Sequence, residues 1–268
     1  MMCALPLLDG RVDLWYALPE TITDIAILDR YRALLTPEET AESQRFAFER
    51  DRHRFLVRRA LVRAVLSAYT GNDPGAWVFR RNEYGKPEVA EPVGMTLRFN
   101  LSHTAGLVVC AVTSGRDVGV DVEALERQPA DLERQPADLE RQPADLDVAR
   151  RYFAPAEIAT LERLPEQRRQ EVFFQFWTLK EAYIKARGMG LSIPLDDFAL
   201  TLSEDRPPAI SFAAGCDGDP DEWQFAQIRL QGRYQVAIAI RLPGPSRLTV
   251  RLRQTTPLVS EGEWLPLP

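Results

Sequence analysis

Residues 173–190 constrain this chain more than any other stretch. At the helical period Phe173, Phe176, Trp177, Tyr183 and Ile184 share one broad apolar stripe, and Gly188 and Gly190 supply the stop. The spacing therefore predicts a single amphipathic helix whose apolar face must be buried. Glu181 and Lys185 stand one turn apart at the edge of the stripe beside Trp177, while Lys180 falls near its middle, where an ammonium needs an anion or a route to water. Two readings fit these charges. Either Glu181 and Lys185 form a surface pair worth about 0.3–0.5 kcal/mol with Lys180 reaching out along its stem, or the helix is one wall of a site for a phosphorylated ligand. In the second reading a carboxylate serves a metal and the lysines serve phosphate oxygens.

The rest of the sequence sets bounds. With 268 residues and 45% hydrophobic content, the chain can bury a sizeable core, as one large domain or as two lobes, which excludes disorder throughout. The first residues lack a basic start, Pro6 and Asp9 cut their apolar run, and nowhere do 18 apolar residues run together, so the expectation is a soluble cytoplasmic protein without membrane association. Cys3, Cys110 and Cys216 are odd in number, far apart and outside any metal spacing, which fits a reducing compartment. A formal charge of −6 disfavours a dedicated nucleic-acid binder, although a local basic patch could hold a small anion.

In chain order, residues 12–18 read as a strand, 22–35 as a helix, and 38–69 as one long helix with Thr36 as its N-cap. That helix carries Arg45, Arg50, Arg52, Arg54, Arg58, Arg59 and Arg63 around a face of Phe46, Phe55, Leu56, Ala60, Leu61 and Leu66. Residues 77–80, 95–101 and 107–112 read as strands, with Gly85-Lys86-Pro87 in a turn and Ser102-His103-Thr104 in another. A serine hydrolase built on Ser102-His103 is excluded, because adjacent residues do not readily place nucleophile and base together and no Gly-x-Ser-x-Gly elbow occurs. Later strands are expected at 198–202, 209–212, 223–229 and 234–241, and 255–268 as a Pro-rich tail.

Val118-Gly119-Val120-Asp121-Val122-Glu123 alternates strictly, placing Asp121 and Glu123 on the same side of a strand. Such a pair is either one wet face or, together with a phosphorylated substrate, a hard-oxygen site for Mg²⁺; no Cys/His cluster competes for a softer metal.

Taken together, Gly85-Lys86-Pro87, Phe99-Asn100-Leu101-Ser102-His103, residues 118–123 and residues 176–185 resemble, in order, the motifs of the surfactin-type 4'-phosphopantetheinyl transferases. The likeness continues through residues 188–198 and spans roughly residues 37–198. The resemblance implies an α+β fold of two similar lobes, each a small antiparallel sheet packed on a long helix, with the active site between them. The lobes are expected at 1–117, on the coenzyme A side, and 118–254, with the metal and the catalytic helix. It also implies transfer of the 4'-phosphopantetheine arm of coenzyme A to a serine of an apo acyl or peptidyl carrier protein, with release of 3',5'-ADP. By motif position Asp121, Glu123 and Glu181 would hold Mg²⁺, Glu181 would be the base, and Lys185 would serve the departing nucleotide. Ser102, His103, Lys86 and Arg81 would hold the nucleotide phosphates, and Arg50 falls at a position that can touch coenzyme A.

One departure stands out: where some relatives place lysines after the proline that opens the basic helix, this chain has Glu39 and Glu42, which turns attention to Arg50 or Arg54 for phosphate. The alternatives are an inactive coenzyme A or carrier-protein binding module of the same fold, and a nucleic-acid binder built on the Arg-rich helix, whose affinity would fall steeply with salt and need no Mg²⁺. An internally duplicated fold favours a monomer. Carrier proteins are commonly acidic, so Arg150, Arg151, Arg163, Arg168 and Arg169 are candidates for docking. Residues 125–145 repeat Leu-Glu-Arg-Gln-Pro-Ala-Asp three times; one leucine and one proline per unit rule out a zipper, and the segment reads as an expanded surface loop.

Overall fold

The computed structural model describes residues 5–6, 9–125, 146–216 and 218–266, so nearly all of the seven-residue repeat lies outside the described residues. The chain forms two compact units: Met1–Asn82, Pro87–Gly115 and Thr249–Pro268 make the first, Glu83–Lys86 and Arg116–Leu248 the second.

The first unit begins with β1 (Arg11–Ala17), buried along its whole length. Helix α1 (Ile25–Arg32) is capped by the Asp24 side chain, which accepts from the Ala26 amide. Helix α2 (Pro37–Gln44) opens on a capping box in which Thr36 and Glu39 each accept from the other's backbone amide. The long helix expected from residue 38 onward is broken, and α3 (Glu49–Thr70) starts only after residues 45–48. The break has a physical reason. Arg52 donates to the carbonyls of Phe46 and Ala47, at 2.7 and 3.4 Å, and the Phe46 ring turns onto Phe55 at 5.6 Å.

After α3 come the hairpin of β2 (Val78–Arg81) and β3 (Pro87–Glu91), then β4 (Leu97–Thr104) and β5 (Leu107–Ser114). Ser102, His103 and Thr104 are the last residues of β4 rather than a turn, because their ladder partners Val109, Val108 and Leu107 continue the pairing to the tight Ala105-Gly106 connection. Helix α3 packs Leu56, Ala60, Leu61 and Val65 into a core shared with Trp15, Phe99, Val108, Cys110 and Val112.

The second unit is built from β6 (Val118–Ala124), α4 (Leu146–Tyr152), α5 (Pro155–Arg163), α6 (Glu166–Arg187), β7 (Phe198–Thr201), β8 (Ala209–Phe212), β9 (Trp223–Leu230) and β10 (Tyr234–Arg241). Strands β6, β10 and β9 form an antiparallel sheet with β10 in the middle. The expected helix is α6. Its Phe173, Phe176, Tyr183 and Ile184 are buried with Phe153, Phe198, Trp223 and Phe225, while Trp177 stays half-buried and stacks on Phe173 at 5.9 Å.

The chain then returns to the first unit. Strand β11 (Thr249–Thr256) pairs in parallel with β1, Arg11 opposite Thr249 through Tyr16 opposite Gln254, and β12 (Ser260–Glu261) and β13 (Leu265–Pro266) pair with β11. Residues 255–256, 260–261 and 265–266 are therefore strand rather than a tail, and 249–254 go with the first unit. A parallel pair needs a long crossover, and here the chain between the two strands runs through α1 to β5 of the first unit and then through the second unit. Buried Asp13 is the electrostatic anchor: it accepts from Arg251 at 2.9 and 3.0 Å and from the Tyr69 hydroxyl at 2.8 Å, and Arg11 pairs with it at 3.1 Å. Trp264 adds an aromatic clasp, lying under the guanidinium groups of Arg251 and Arg253 at 4.0 and 4.2 Å and edge-on to Trp15 at 5.1 Å.

The fold is thus α+β, with six α-helices and small, largely antiparallel sheets among the described residues. Among the described residues no helix is long and apolar enough to cross a membrane.

Candidate active site

Strand β6 and helix α6 meet along a seam that only a glycine permits. A Cβ built on Gly119 would lie 2.0 Å from the Ala182 carbonyl oxygen and 2.4 Å from the Ala186 amide nitrogen, so the backbone of the strand rests on the backbone of the helix. Gly119 and Asp121 pair with Ala239 and Ala237 of β10, which keeps the floor of the seam low. Beside Gly119 the seam becomes polar: Lys185 Nζ donates to Asp121 Oδ1 at 2.5 Å. The Asp121 side chain is 7% exposed and that of Lys185 29%. Burial works to strip the lysine of its proton, but Asp121, then Glu181, and more weakly Glu123 outweigh it and hold its pKa above the ordinary lysine value. The fields of three carboxylates, two from one strand face and one from the preceding helical turn, thus converge on a single ammonium.

The donor chemistry of Asp121, Glu123 and Glu181 fits a hard divalent cation such as Mg²⁺. Among the described residues no three acids, histidines or cysteines are gathered as a ready-made metal cluster, and the cation the three carboxylates act on here is that of Lys185. Next to this group, Lys86 donates to the carbonyls of Val118 at 3.2 Å and Ala186 at 3.1 Å. It thereby joins the start of β6 to the last turn of α6, where the helix dipole favours a positive charge.

Lys180, the cation in the middle of the apolar stripe, has its anion. It pairs with Glu157 of α5 at 2.8 Å and donates to the carbonyls of Leu195 and Phe198 at 2.7 Å, with its ammonium 4.2 Å from the Phe198 ring centre. Glu157 in turn accepts from the amides of Ala154 and Leu200. Burial pulls Lys180 down and pushes Glu157 up, and each opposes that pressure on the other. Lys180 is a strut that ties α5, α6 and β7, not a phosphate ligand.

The remaining expected residues belong to the first unit. Ser102 is buried and His103 exposed on successive positions of β4. The Arg50 guanidinium lies 4.9 Å from the Phe48 ring centre, and Arg81 pairs with Glu42 at 3.3 Å. Glu39 and Glu42 are absorbed by arginines: Arg63 and Arg59 hold Glu39 at 2.7 and 3.4 Å, and Arg59 also holds Glu42 at 3.2 Å. Burial brings the Arg58 guanidinium beside them down to about 10, with Arg59 adding to the effect.

Comparison with known proteins bears on both units. The profile described as the 4'-phosphopantetheinyl transferase superfamily matches residues 117–239, and one described as 4'-phosphopantetheinyl transferase, N-terminal, matches residues 26–115. The chain is 35% identical over 210 residues to the 4'-phosphopantetheinyl transferase HetI of Nostoc sp., covering 78% of this chain and 81% of that protein. It is 32% identical over 177 residues to the 4'-phosphopantetheinyl transferase Sfp of Bacillus subtilis (strain 168), covering 66% and 70%. A phosphopantetheinyl transferase of Thraustochytrium sp. is 33% identical over 220 residues, covering 79% and 72%.

The chain belongs to the 4'-phosphopantetheinyl transferase superfamily. Within this member of the superfamily the structure brings Asp121, Lys185 and Lys86 onto the β6/α6 seam, with Glu123 and Glu181 acting on the same ammonium. Sequence reading missed Glu157; its signal was the unpaired demand of Lys180 together with an acid in the first turn after Pro155. It also treated Gly119 only as a member of the strand face, whereas the contact with α6 makes it the residue that sets the seam. Of the arginines expected from sequence to dock a carrier, Arg150 is engaged by Asp147 and Glu162, Arg151 lies over Tyr152, and Arg169 donates to the Leu164 carbonyl.

Proposed function

We infer that this member of the superfamily transfers the 4'-phosphopantetheine group of coenzyme A to a serine hydroxyl of an apo acyl or peptidyl carrier protein. The observation that carries the reading is the seam itself: Glu181 and Lys185 one turn apart on α6, with Lys185 on Asp121 and within the field of Glu123. In this reaction the serine oxygen forms a bond to the phosphorus that bears the pantetheine arm. The pyrophosphate bridge to the nucleotide breaks, and 3',5'-ADP leaves with the electron pair. Glu181 takes the serine proton, a general-base role worth roughly 10²–10⁴ in rate. Lys185 offers its ammonium to the oxygen of the departing phosphate, where negative charge grows.

Asp121, Glu123 and Glu181 are the residues that would hold Mg²⁺, which when bound supplies charge stabilisation at the pyrophosphate. Ser102, His103, Arg50 and Arg81 are proposed to bind the nucleotide end of coenzyme A. Lys86, whose ammonium spans two carbonyls, fits better as a positioning residue for the seam than as a phosphate ligand. The reading extends to a cytoplasmic monomer.

The test is mass spectrometry of apo carrier proteins of fatty-acid, polyketide and peptide assembly, incubated with the protein, coenzyme A and Mg²⁺. A phosphopantetheine adduct on the carrier serine is expected, lost with Glu181→Gln and suppressed by chelator until Mg²⁺ is restored. No adduct on any carrier, or one indifferent to Glu181→Gln, refutes the reading.

A further inference from the structure

The acidic side of the β6/α6 seam already has a cation. Lys185 Nζ sits 2.5 Å from Asp121 Oδ1, on a carboxylate that is 7% exposed, and the seam width that fixes this contact is set by the backbone approach at Gly119. Helical spacing puts Glu181 one turn before Lys185, and strand spacing puts Glu123 on the same side of β6 as Asp121. Asp121 holds the Lys185 ammonium in direct contact, and Glu181 and Glu123 act on the same charge.

We propose that Lys185 is the resident counter-ion of Asp121, held where a divalent cation would bind, so that arrival of the ion and release of Lys185 from Asp121 are one exchange. The inference rests on reading Asp121, Glu123 and Glu181 as metal ligands. An ammonium on Asp121 and a divalent ion on the same carboxylate would stand within roughly 5 Å of each other in a poorly solvated place, where like charges are weakly screened. Lysine suits the exchange because its charge is compact and its stem flexible, and 29% of the Lys185 side chain already reaches solvent. Release from Asp121 frees the ammonium for the phosphate that departs. The lysine would then reach the nucleotide only when the metal is in place, which makes an unproductive metal-free complex less able to react.

The experiment measures Mn²⁺ binding to the full chain by electron paramagnetic resonance, without coenzyme A, in the wild type and in Lys185→Gln, Lys185→Arg and Asp121→Asn. Lys185→Gln should bind Mn²⁺ about tenfold more tightly than the wild type, a difference of roughly 1.4 kcal/mol. Lys185→Arg, which keeps the charge, should stay near the wild-type value, and Asp121→Asn should lose binding. If Asp121→Asn loses Mn²⁺ but Lys185→Gln gains nothing, the exchange is overturned while the metal ligands stand. If Asp121→Asn binds as the wild type does, the ligand reading falls and takes the exchange with it. A second measurement needs no variant: the Lys185 Cε resonance of the wild type should move when Mg²⁺ saturates the protein, and a resonance that stays in place on saturation overturns the exchange.

Discussion

Substituting Gly119 by alanine tests whether the β6/α6 seam is both the mechanical and the chemical centre of the second unit. The added methyl would stand 2.0 Å from the Ala182 oxygen and 2.4 Å from the Ala186 nitrogen, and both are backbone atoms that no rotamer change can move. Restoring ordinary contact requires strand and helix to part by about 1.4 Å. Overpacking costs about 1–3 kcal/mol where side chains can adjust, so about 3 kcal/mol or more is expected here. The same displacement takes Lys185 away from Asp121, now 2.5 Å apart, beyond hydrogen-bond reach. Urea unfolding followed by tryptophan fluorescence gives the stability, and the rate of carrier modification gives the chemistry. Gly71→Ala is the control: Gly71 ends α3 at a φ of +73° with nothing within 4 Å of the new methyl. It should cost about 1–2 kcal/mol through its left-handed backbone and leave transfer intact. A Gly119→Ala protein with wild-type stability and rate would refute the close-approach argument.

Further outcomes are expected elsewhere. Lys180→Met leaves Glu157 buried without its cation and should cost about 3–5 kcal/mol in urea unfolding, with the double variant Lys180→Met/Glu157→Leu recovering much of the loss. Glu181→Gln should lower turnover at least about 10²-fold while its melting temperature stays near the wild-type value, which differential scanning calorimetry and carrier mass spectrometry check together. Arg251→Ala should cost about 2 kcal/mol, because Asp13 keeps Arg11 and Tyr69 but loses its two-pronged partner.

Local pattern made much of this molecule legible. The stripe of Phe173, Phe176, Tyr183 and Ile184 gave α6, and strict alternation at residues 118–123 gave β6 with Asp121 and Glu123 on the same side. The intervals 209–212 and 234–241 matched β8 and β10 residue for residue. What stayed hidden depended on contacts distant in sequence. Residues 45–48 look helical alone and are bent by Arg52 and Phe55 from the following helix. Residues 255–268 read as a Pro-rich tail, yet residues 255–256 close β11, a strand in which Arg251 is drawn in by Asp13 and Arg253 by Trp264. Glu39 and Glu42 looked like lost phosphate contacts from sequence, and only their pairing with Arg59, Arg63 and Arg81 shows what occupies them.

The parallel pairing of β1 with β11 imposes an order of events during synthesis. Strand β1 emerges from the ribosome early and finds β5 on one side, but its other edge stays open until the entire second unit has been translated. The second unit draws almost all of its sequence from one uninterrupted interval, so it can be complete while the first still presents an unpaired edge, lined by residues that end up buried. An exposed edge of that kind is a template for pairing with another nascent chain. Factors that slow translation between residues 116 and 248 should therefore lower soluble yield more than equal delays after residue 256.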